Sequence, residues 1–178
     1  MIVRRADAQR DGAACAAIYA PYVSESVVSF EERAPSAQEM SRRIDGAHAW
    51  IVAEEDDVML GYAYGSPHRE RAAYRWAADV AVYIAAEHHR SGVGRALYTQ
   101  LFERLRAIGL WTLCAGVTQP NEASNGLHRA MGFVPVGTYR RIGWKAGAWH
   151  DVLWWQLDLR AGEAGPPDEI KYEEGDDQ

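Results

Sequence analysis

The stretch WAADVAVYIAAEHHRSGVGRALY, Trp76 to Tyr98, decides the fold. Its first half is a long and nearly continuous apolar run, which is typical of a strand buried at the centre of a sheet. Because side chains alternate along a strand, Asp79, Ala81 and Tyr83 share one face and the intervening apolar residues share the other. Asp79 is the only acid in this run. The stretch therefore predicts a central strand that carries a single buried carboxylate.

The second half of the stretch changes character at Gly92 and Gly94. From Val93 onward apolar residues recur at helical spacing, so the glycines lie at a strand-to-helix turn. The first N–H groups of a helix are unpaired and partly positive, and glycines let an anion approach them. Arg90 and Arg95 flank this turn. The pattern favours a pyrophosphate-binding loop, and a plain tight turn is the alternative.

Three other kinds of site find no support in the loop. The Lys-Ser/Thr pair of a P-loop is missing, so the loop does not indicate an ATPase or kinase. Leu97 stands where the third glycine of a dinucleotide-binding motif would be. His88 and His89 suggest a metal, but adjacent loop residues rarely ligate one ion, and no cluster of acids or cysteines accompanies them. We therefore predict no metal site.

The rest of the chain predicts the element order β-α-α-β-β-β-α-β-α-β-β in one domain over residues 1–160. Asp7 is expected to cap a first helix that stops at Pro21. Ser36 and Glu39 form a capping box for the second helix. Residues 161–178 contain seven acids and one lysine with little apolar content, so we predict a disordered acidic tail.

Composition excludes several classes of protein. The 178-residue chain is 48% hydrophobic, which suits one domain with a real core. Apolar runs are too short to span a bilayer, and the polar start MIVRRADAQR is not a signal peptide, so we predict no membrane association. Cys15 and Cys114 are too few for a disulfide framework, which favours a cytoplasmic, reduced protein. Without a basic stripe, no nucleic-acid partner is expected.

The order of the elements, and HRSGVG after a long central strand, resemble the GNAT superfamily of acetyl-CoA-dependent N-acetyltransferases. Further stretches, about residues 18 to 159, are similar to phosphinothricin and methionine sulfoximine acetyltransferases: IYAPYVSESVVSFE, GYAYGSPHRERAAYRW, ADVAVYI, NEASNGLHRAMGF and KAGAWHDVLWWQLDL. The resemblance implies an α/β (α+β) fold with a mixed, mostly antiparallel sheet, a splayed central strand and flanking helices. His89 departs from the family loop, which begins with Gln or Arg.

The resemblance also implies acetyl-CoA as co-substrate. The backbone of Val82, Tyr83 and Ile84 is expected to follow the pantetheine arm. Asn121 matches a family asparagine that contacts the pantetheine or the departing end of the cofactor, and an Asx turn after Pro120 is the alternative. The pyrophosphate is expected on a loop that comprises Arg90, Ser91, Gly92, Val93, Gly94 and Arg95.

Two residues are candidates for proton transfer. Burial would raise the pKa of Asp79 and suit it as the base for the amine, although related enzymes usually carry the longer Glu there, so a bridging water is plausible. An ion pair with an arginine such as Arg71 or Arg75 is the structural alternative. His128 stands in LHRAMGF, where many GNAT enzymes place a tyrosine acid, and is the candidate for the departing thiolate. A packed, structural histidine is its alternative role.

The acceptor side is predicted from PHRERAAY, where Arg69 and Arg71 are two residues apart and suit a carboxylate or phosphinate. Tyr74 is expected to close the same pocket, Phe30 to cover an apolar side chain, and Lys145 to approach the acceptor from the same chain or from a partner subunit. A solvated charged loop is the alternative for the arginines.

The resulting hypothesis is direct attack of a small amino-acid-like amine on acetyl-CoA in a ternary complex. An acetyltransferase for another amine (another amino acid, a polyamine or a protein N-terminus) and a non-catalytic acyl-CoA sensor are the alternatives. A cluster of tryptophans near the C-terminal strands predicts a homodimer interface, with core packing as the alternative; its members are Trp144, Trp149, Trp154 and Trp155.

Overall fold

The computed structural model describes residues 1–165 and 169–172. Its strands and helices follow the predicted order, which is thereby confirmed. They are β1 (Ile2–Arg5), α1 (Ala8–Ser24), α2 (Ala37–Asp45), β2 (Ala49–Glu55), β3 (Val58–Pro67), β4 (Ala77–Ile84), α3 (Val93–Ala107), β5 (Thr112–Thr118), α4 (Glu122–Ala130), β6 (Val134–Lys145) and β7 (Ala148–Asp158).

The strands form one seven-stranded sheet in the order β1-β2-β3-β4-β5-β7-β6. Only the β4–β5 pair is parallel among the strand pairs of the described residues, so the sheet is mixed and mostly antiparallel, as predicted. The apolar strand β4 lies at the centre of this order. Its continuous hydrophobicity follows from that position, because both of its faces are covered.

The central strand separates from its neighbour halfway along. β4 pairs with β5 only through Ala77–Thr112, Ala78–Leu113 and Asp79–Cys114. Beyond Asp79, β4 continues alongside β3 as far as Ile84, while β5 stays paired with β7. The predicted splay is confirmed, and it opens directly after the residue that carries the carboxylate.

Two hydrophobic cores cover the two faces of the sheet. On one face α3 packs through Leu97, Leu101 and Leu105, which are fully buried, against residues that include Val80 of β4. On the other face α1 and α2 pack against Trp50 and its neighbours, and Tyr83 of β4 joins this second core. The alternation read from the sequence therefore holds along β4.

Local signals explain most of the helix and turn boundaries. The Asp7 carboxylate accepts hydrogen bonds from the backbone N–H groups of Gln9 and Arg10. The Ser36 hydroxyl accepts from the N–H of Glu39 at 3.1 Å, which is one half of the predicted capping box. The Glu39 side chain instead pairs with arginines of its own helix, so it does not complete the box.

The prediction that α1 stops at Pro21 is wrong. The helix continues to Ser24, with the N–H of Glu25 donating to the carbonyl of Pro21. Proline removes one backbone hydrogen bond, but Val23 in the next turn is buried in the second core together with Tyr19. Burial of that turn offsets the lost hydrogen bond.

The described part of the acidic tail forms contacts with the rest of the chain. Glu163 forms ion pairs with Arg106 and Arg160, and the N–H of Lys171 donates to the carbonyl of Ile108. The disorder predicted for 161–178 stays a prediction, and residues 166–168 and 173–178 lie outside the described residues. Helices in the described part of the chain fall short of the length and apolarity that a membrane crossing requires.

Candidate active site

A small cavity of about 60 Å³ fills the splay between β4 and β5. Strand residues of both walls line it, and α4 closes one end with Asn121, Ser124 and His128. Tyr98 of α3 also reaches the cavity. The structure thus brings the predicted residues of β4 and α4 to one place, although they are some 40 positions apart in the sequence.

The backbone of β4 turns towards this splay at alternate residues. The carbonyl of Ile84 accepts a hydrogen bond from the Tyr22 hydroxyl at 2.6 Å, whereas the N–H of Ala85 donates to Leu60 of β3. Backbone groups two residues apart in a strand point the same way, so those of Val82 also point away from β3. Tyr83, predicted with them, is different: its backbone faces β3, where it is in register with Tyr62.

The loop after β4 has the conformation of an anion-binding turn. Gly92 is the N-cap of α3 with φ of 88°, a left-handed conformation that favours glycine, and no side chain caps the helix. The first-turn N–H groups that follow therefore have no intrahelical acceptor. Arg90 and Arg95 are exposed beside them. This arrangement fits the predicted pyrophosphate site.

The other loop residues have packing roles. Val93 is buried in the core, so only its backbone is available to a ligand. A Cβ on Gly94 would come within 3.2 Å of the Leu127 side chain, which explains glycine where α3 meets α4. The Ser91 hydroxyl donates to the carbonyl of His88 and shapes the turn.

His89, which departs from the family loop, points back to the end of β4. Its Nε2 lies 3.0 Å from the Tyr22 hydroxyl and 3.1 Å from the carbonyl of Ile84. The side chain therefore secures the junction between β4 and the loop.

Asp79 forms a close pair with a histidine that the sequence analysis did not single out. Its Oδ1 lies 2.6 Å from Nδ1 of His68, and its Oδ2 lies 3.8 Å from the guanidinium of Arg69. Burial raises the pKa of the Asp79 carboxyl, and the hydrogen bond from His68 opposes that shift. The expected direction is confirmed, and the arginine that approaches the Asp79 carboxylate is Arg69 rather than Arg71 or Arg75.

An open groove of about 610 Å³ adjoins this pair, lined by Pro67, His68, Arg69, Glu70, Arg71 and Tyr74. The three residues predicted for the acceptor from PHRERAAY thus lie along one groove. Arg69 donates to the carbonyl of His68, and the Tyr74 ring stands edge-on to the His68 ring at 5.8 Å between centroids. Cations and an aromatic ring beside an acid suit an acceptor with both an anionic group and an amine.

Lys145 has a different role from the predicted one. Its ammonium donates to the carbonyls of Val23, Ser29 and Glu31 at 2.6, 2.6 and 3.2 Å. An ammonium has three N–H donors, so all of them are used within the chain and none is free for an acceptor. Lys145 instead fixes the segment that presents Phe30, whose ring lies 6.3 Å from that of His150 and covers the backbone of β6.

His128 is buried at 3% exposure and both ring nitrogens have partners. Nδ1 lies 2.8 Å from the carbonyl of Ser124, and Nε2 lies 3.1 Å from the Tyr98 hydroxyl. A carbonyl only accepts, so these partners assign the proton to Nδ1 and make Tyr98 the donor to Nε2. Burial lowers the pKa of His128, which keeps the imidazole neutral.

Asn121 serves as the N-cap of α4. Its Oδ1 accepts a hydrogen bond from the N–H of Ser124 at 3.1 Å, after a cis peptide bond between Gln119 and Pro120. The predicted alternative is an Asx turn, whereas the bonded N–H is three residues on and the side chain caps the helix instead. Asn121 also lines the cavity, and its amide N–H groups are not needed for the cap.

One group of possible metal ligands occurs in the described part of the chain. Ligand atoms of His68, Asp79 and Cys114 lie within 4.8 Å of one another. Two of these atoms are already hydrogen-bonded to each other. Burial raises the pKa of the Cys114 thiol, and a thiol is a much poorer ligand than a thiolate. The three residues thus form a hydrogen-bonded histidine–carboxylate pair next to a half-buried thiol.

The four tryptophans do not form one cluster. Trp155 is 2% exposed in the core, and its neighbour Trp154 faces the other side of β7 because side chains alternate. Trp144 and Trp149 pack edge-to-face at the far end of the β6–β7 hairpin and are 60% and 51% exposed. Only this second pair is available to a partner.

Comparison with known proteins identifies the family of the chain. Residues 5–154 match a family model described as an acetyltransferase (GNAT) domain. The chain is 38% identical to a phosphinothricin N-acetyltransferase of Streptomyces viridochromogenes, over 84% of this chain and 83% of that protein. It is 33% identical to an L-methionine sulfoximine/L-methionine sulfone acetyltransferase of Salmonella typhimurium, over 61% of this chain and 64% of that protein.

A solved structure gives the same result for the fold. A phosphinothricin acetyltransferase from Sinorhizobium meliloti, in complex with AcCoA, superimposes with a TM-score of 0.87 at 32% identity, covering 95% of this chain and 94% of that one. GNAT acetyltransferases use acetyl-CoA. The chain therefore belongs to the GNAT family of N-acetyltransferases, as its motifs predicted.

Proposed function

We propose that this enzyme transfers the acetyl group of acetyl-CoA to the amine of a small, anionic, amino-acid-like acceptor, by direct attack in a ternary complex. One observation carries the proposal: Asp79 is the last residue of β4 paired with β5 before the splay, and its carboxylate is bonded to the wall of the arginine-lined groove. A thioester in the splay and an amine in the groove would meet at this residue.

The cofactor would bind along β4 and across the glycine turn. Backbone groups of Val82, and of Ile84 if the Tyr22 hydroxyl yields, would pair with the pantetheine arm. N–H groups after Gly92 and the flanking arginines would hold the pyrophosphate. The amide of Asn121 would donate to the pantetheine or to the departing sulfur.

The reaction requires one proton to leave the amine and one to reach the thiolate. On the groove side, Asp79 would be part of the group that accepts the amine proton, and burial raises its pKa. His128 is the candidate on the thiolate side, because it lines the cavity. Burial keeps its imidazole neutral and its Nδ1–H donates to the Ser124 carbonyl, so His128 would donate to the thiolate only after releasing that bond.

The acceptor class follows from the groove and from the named relatives. Arg69 and Arg71 suit a carboxylate or phosphinate, and Tyr74 of the same groove supplies apolar cover, whereas Phe30 packs against β6 and does not line this groove. Relatives that acetylate phosphinothricin and methionine sulfoximine or sulfone have acceptors of this kind by name. We propose the same three compounds as acceptors, which would make resistance to such compounds a consequence of the activity.

The test is release of CoA thiol from acetyl-CoA against a panel of amines. We expect turnover with phosphinothricin, methionine sulfoximine and methionine sulfone, and little with polyamines or peptide N-termini, which lack the paired anionic group. Turnover confined to polyamines or peptides would overturn the acceptor class. Tight acetyl-CoA binding without release by any amine would identify a sensor and overturn the enzymatic assignment.

We also propose that the enzyme is a homodimer in the cytoplasm. An apolar strip of β6 and the hairpin end is exposed, comprising Val134, Val136, Tyr139, Ile142, Trp144 and Trp149. Contiguous exposed apolar surface of this kind marks a protein interface. Free thiols at Cys15 and Cys114 suit a reducing compartment. Light scattering should give a dimer mass, and Trp144→Ser with Trp149→Ser should give a monomer; a wild-type monomer would refute the interface.

A further inference from the structure

We propose that His68 is the group that takes the proton from the acceptor amine, and that Asp79 is the positioning residue that orients it. The inference rests on the proposed function and names the base within the same site. It replaces a short acid acting alone by an imidazole–carboxylate pair, in which the imidazole borders the groove.

The hydrogen bond fixes which ring nitrogen is available. A carboxylate only accepts, so the 2.6 Å contact between Nδ1 of His68 and Oδ1 of Asp79 assigns the proton to Nδ1. Nε2 then carries the lone pair. Among residues 1–165 and 169–172 no hydrogen bond to this Nε2 is formed, and the ring is part of the groove wall. The pair thus leaves a basic nitrogen beside the acceptor site.

The same bond explains how a carboxylate on the short side chain of Asp79 can work. One oxygen of Asp79 is committed to His68, and the other lies 3.8 Å from the guanidinium of Arg69. The carboxylate is therefore engaged from both sides. The imidazole ring of His68 lies between the Asp79 carboxylate and the groove, so it brings the proton-accepting atom closer to an amine bound there.

The surroundings of His68 suit a base that cycles between charge states. Asp79 of β4 supplies the counter-charge, and the Cys114 thiol of β5 is kept neutral because burial raises its pKa. From the connection to β4, the Tyr74 ring stands edge-on to the imidazole, and Arg69 donates to the backbone carbonyl of His68. Glu70 and Arg71 line the same groove and contribute opposite charges. The His68 side chain is 16% exposed, so protons can still exchange with solvent.

With this assignment every proton in the reaction has a donor and an acceptor. The acceptor ammonium gives one proton to Nε2 of His68, and the free amine attacks the thioester carbonyl, so that a C–N bond forms. The C–S bond then breaks, the second amine proton ends on the CoA sulfur, and the imidazolium returns its proton to water. No oxidant, metal or further reactant is required.

The decisive variant is His68→Asn, because an amide can keep a hydrogen bond to Asp79 but cannot accept the amine proton. We expect kcat/KM for the acceptor to fall roughly a hundredfold or more, the usual contribution of a general base. The KM for acetyl-CoA and the melting temperature should change little. In the wild type kcat/KM should fall on the acid side of the pH profile, and His68→Asn should lose that limb.

His88→Asn is the matched control, since it makes the same chemical change at the other end of β4, and it should retain wild-type kinetics. A His68→Asn enzyme with wild-type rate and pH profile would overturn the assignment of His68 while leaving the acetyltransferase function intact. Absence of CoA release from the wild type with every amine would overturn both. The two failures are therefore distinguishable.

Discussion

Two histidines flank the splayed strand, and their surroundings differ in every respect that matters for proton transfer. His68 borders an open groove and donates to a carboxylate. His128 is 3% exposed, donates to a backbone carbonyl and accepts from a tyrosine. The first has a nearby anion to stabilise an imidazolium, whereas the second is surrounded by Tyr98, Phe133 and Trp155, which do not.

The comparison teaches that a histidine's role follows from its partners more than from its motif. His128 occupies the position at which family motifs led us to expect an acid, yet burial lowers its pKa and favours the neutral ring. His68 occupies no recognised position, yet it has the partner that activates a base. The variants that follow test whether the two histidines differ in this way.

The largest expected effect is on stability at the buried site. His128→Ala should lower the free energy of unfolding by about 2–5 kcal/mol, the range for truncating a buried side chain, and it would leave the Tyr98 hydroxyl without its acceptor. His68→Ala should cost about 1 kcal/mol or less, because water can enter the groove. Chemical denaturation measures both values, and equal losses would contradict the contrast.

The next effect is kinetic and lies at the open site. Asp79→Asn keeps an oxygen that can accept from His68 but removes the charge that stabilises the imidazolium. We expect kcat/KM for the acceptor to fall about a hundredfold, with the acetyl-CoA KM unchanged. If Asp79→Asn were inactive while His68→Asn was not, the carboxylate itself would be the base.

The groove should also distinguish acceptors by charge. Arg71→Gln removes a charge-assisted hydrogen bond, so the KM for an anionic acceptor should rise about tenfold while that for acetyl-CoA stays constant. Arg42→Gln on α2 provides the control, because its partner is Glu39 of the same helix. Steady-state kinetics for both variants are the measurement; an equal response would remove the arginines from the acceptor site.

The smallest effect is the pH dependence of stability. The pKa of His128 is lowered in the folded state, so the unfolded chain binds its proton first as the pH falls. Stability from this group is complete above about pH 6.5, the ordinary imidazole value, and is lost below it. His128→Gln should flatten the dependence in denaturation curves from pH 7.5 to 5. Burial lowers the pKa of His48 too, so some slope should remain; an unchanged slope would exclude a neutral His128.

Much of the fold could be predicted because its signals are local. The apolar run of β4, the cap at Asp7 and the glycine turn at Gly92 each depend on a few neighbouring residues. The grouping of Trp154 with Trp155 failed although the signal was present: adjacent strand residues face opposite sides. Pro21 failed because tertiary burial of the next turn outweighed a local rule.

The pairing inside the site could not be read from sequence. His68 meets Asp79 only because Ser66 of β3 is in register with Asp79 of β4, and that register depends on the path of the connection between the strands. Lys145 is similar, since the carbonyls that bind it come from residues more than 110 positions away. The sequence patterns predicted which residue types would lie at the site, but the strand register determined which of them pair.

Chemical rescue tests the central claim most directly, which is that His68 acts as a base and His128 does not. We would replace each histidine by glycine, verify acetyl-CoA binding by calorimetry, and measure CoA release with added imidazole. The account predicts that imidazole restores acceptor acetylation in His68→Gly in proportion to its concentration and leaves His128→Gly unaffected. Failure to rescue a His68→Gly enzyme that still binds acetyl-CoA, or rescue of His128→Gly instead, would contradict it.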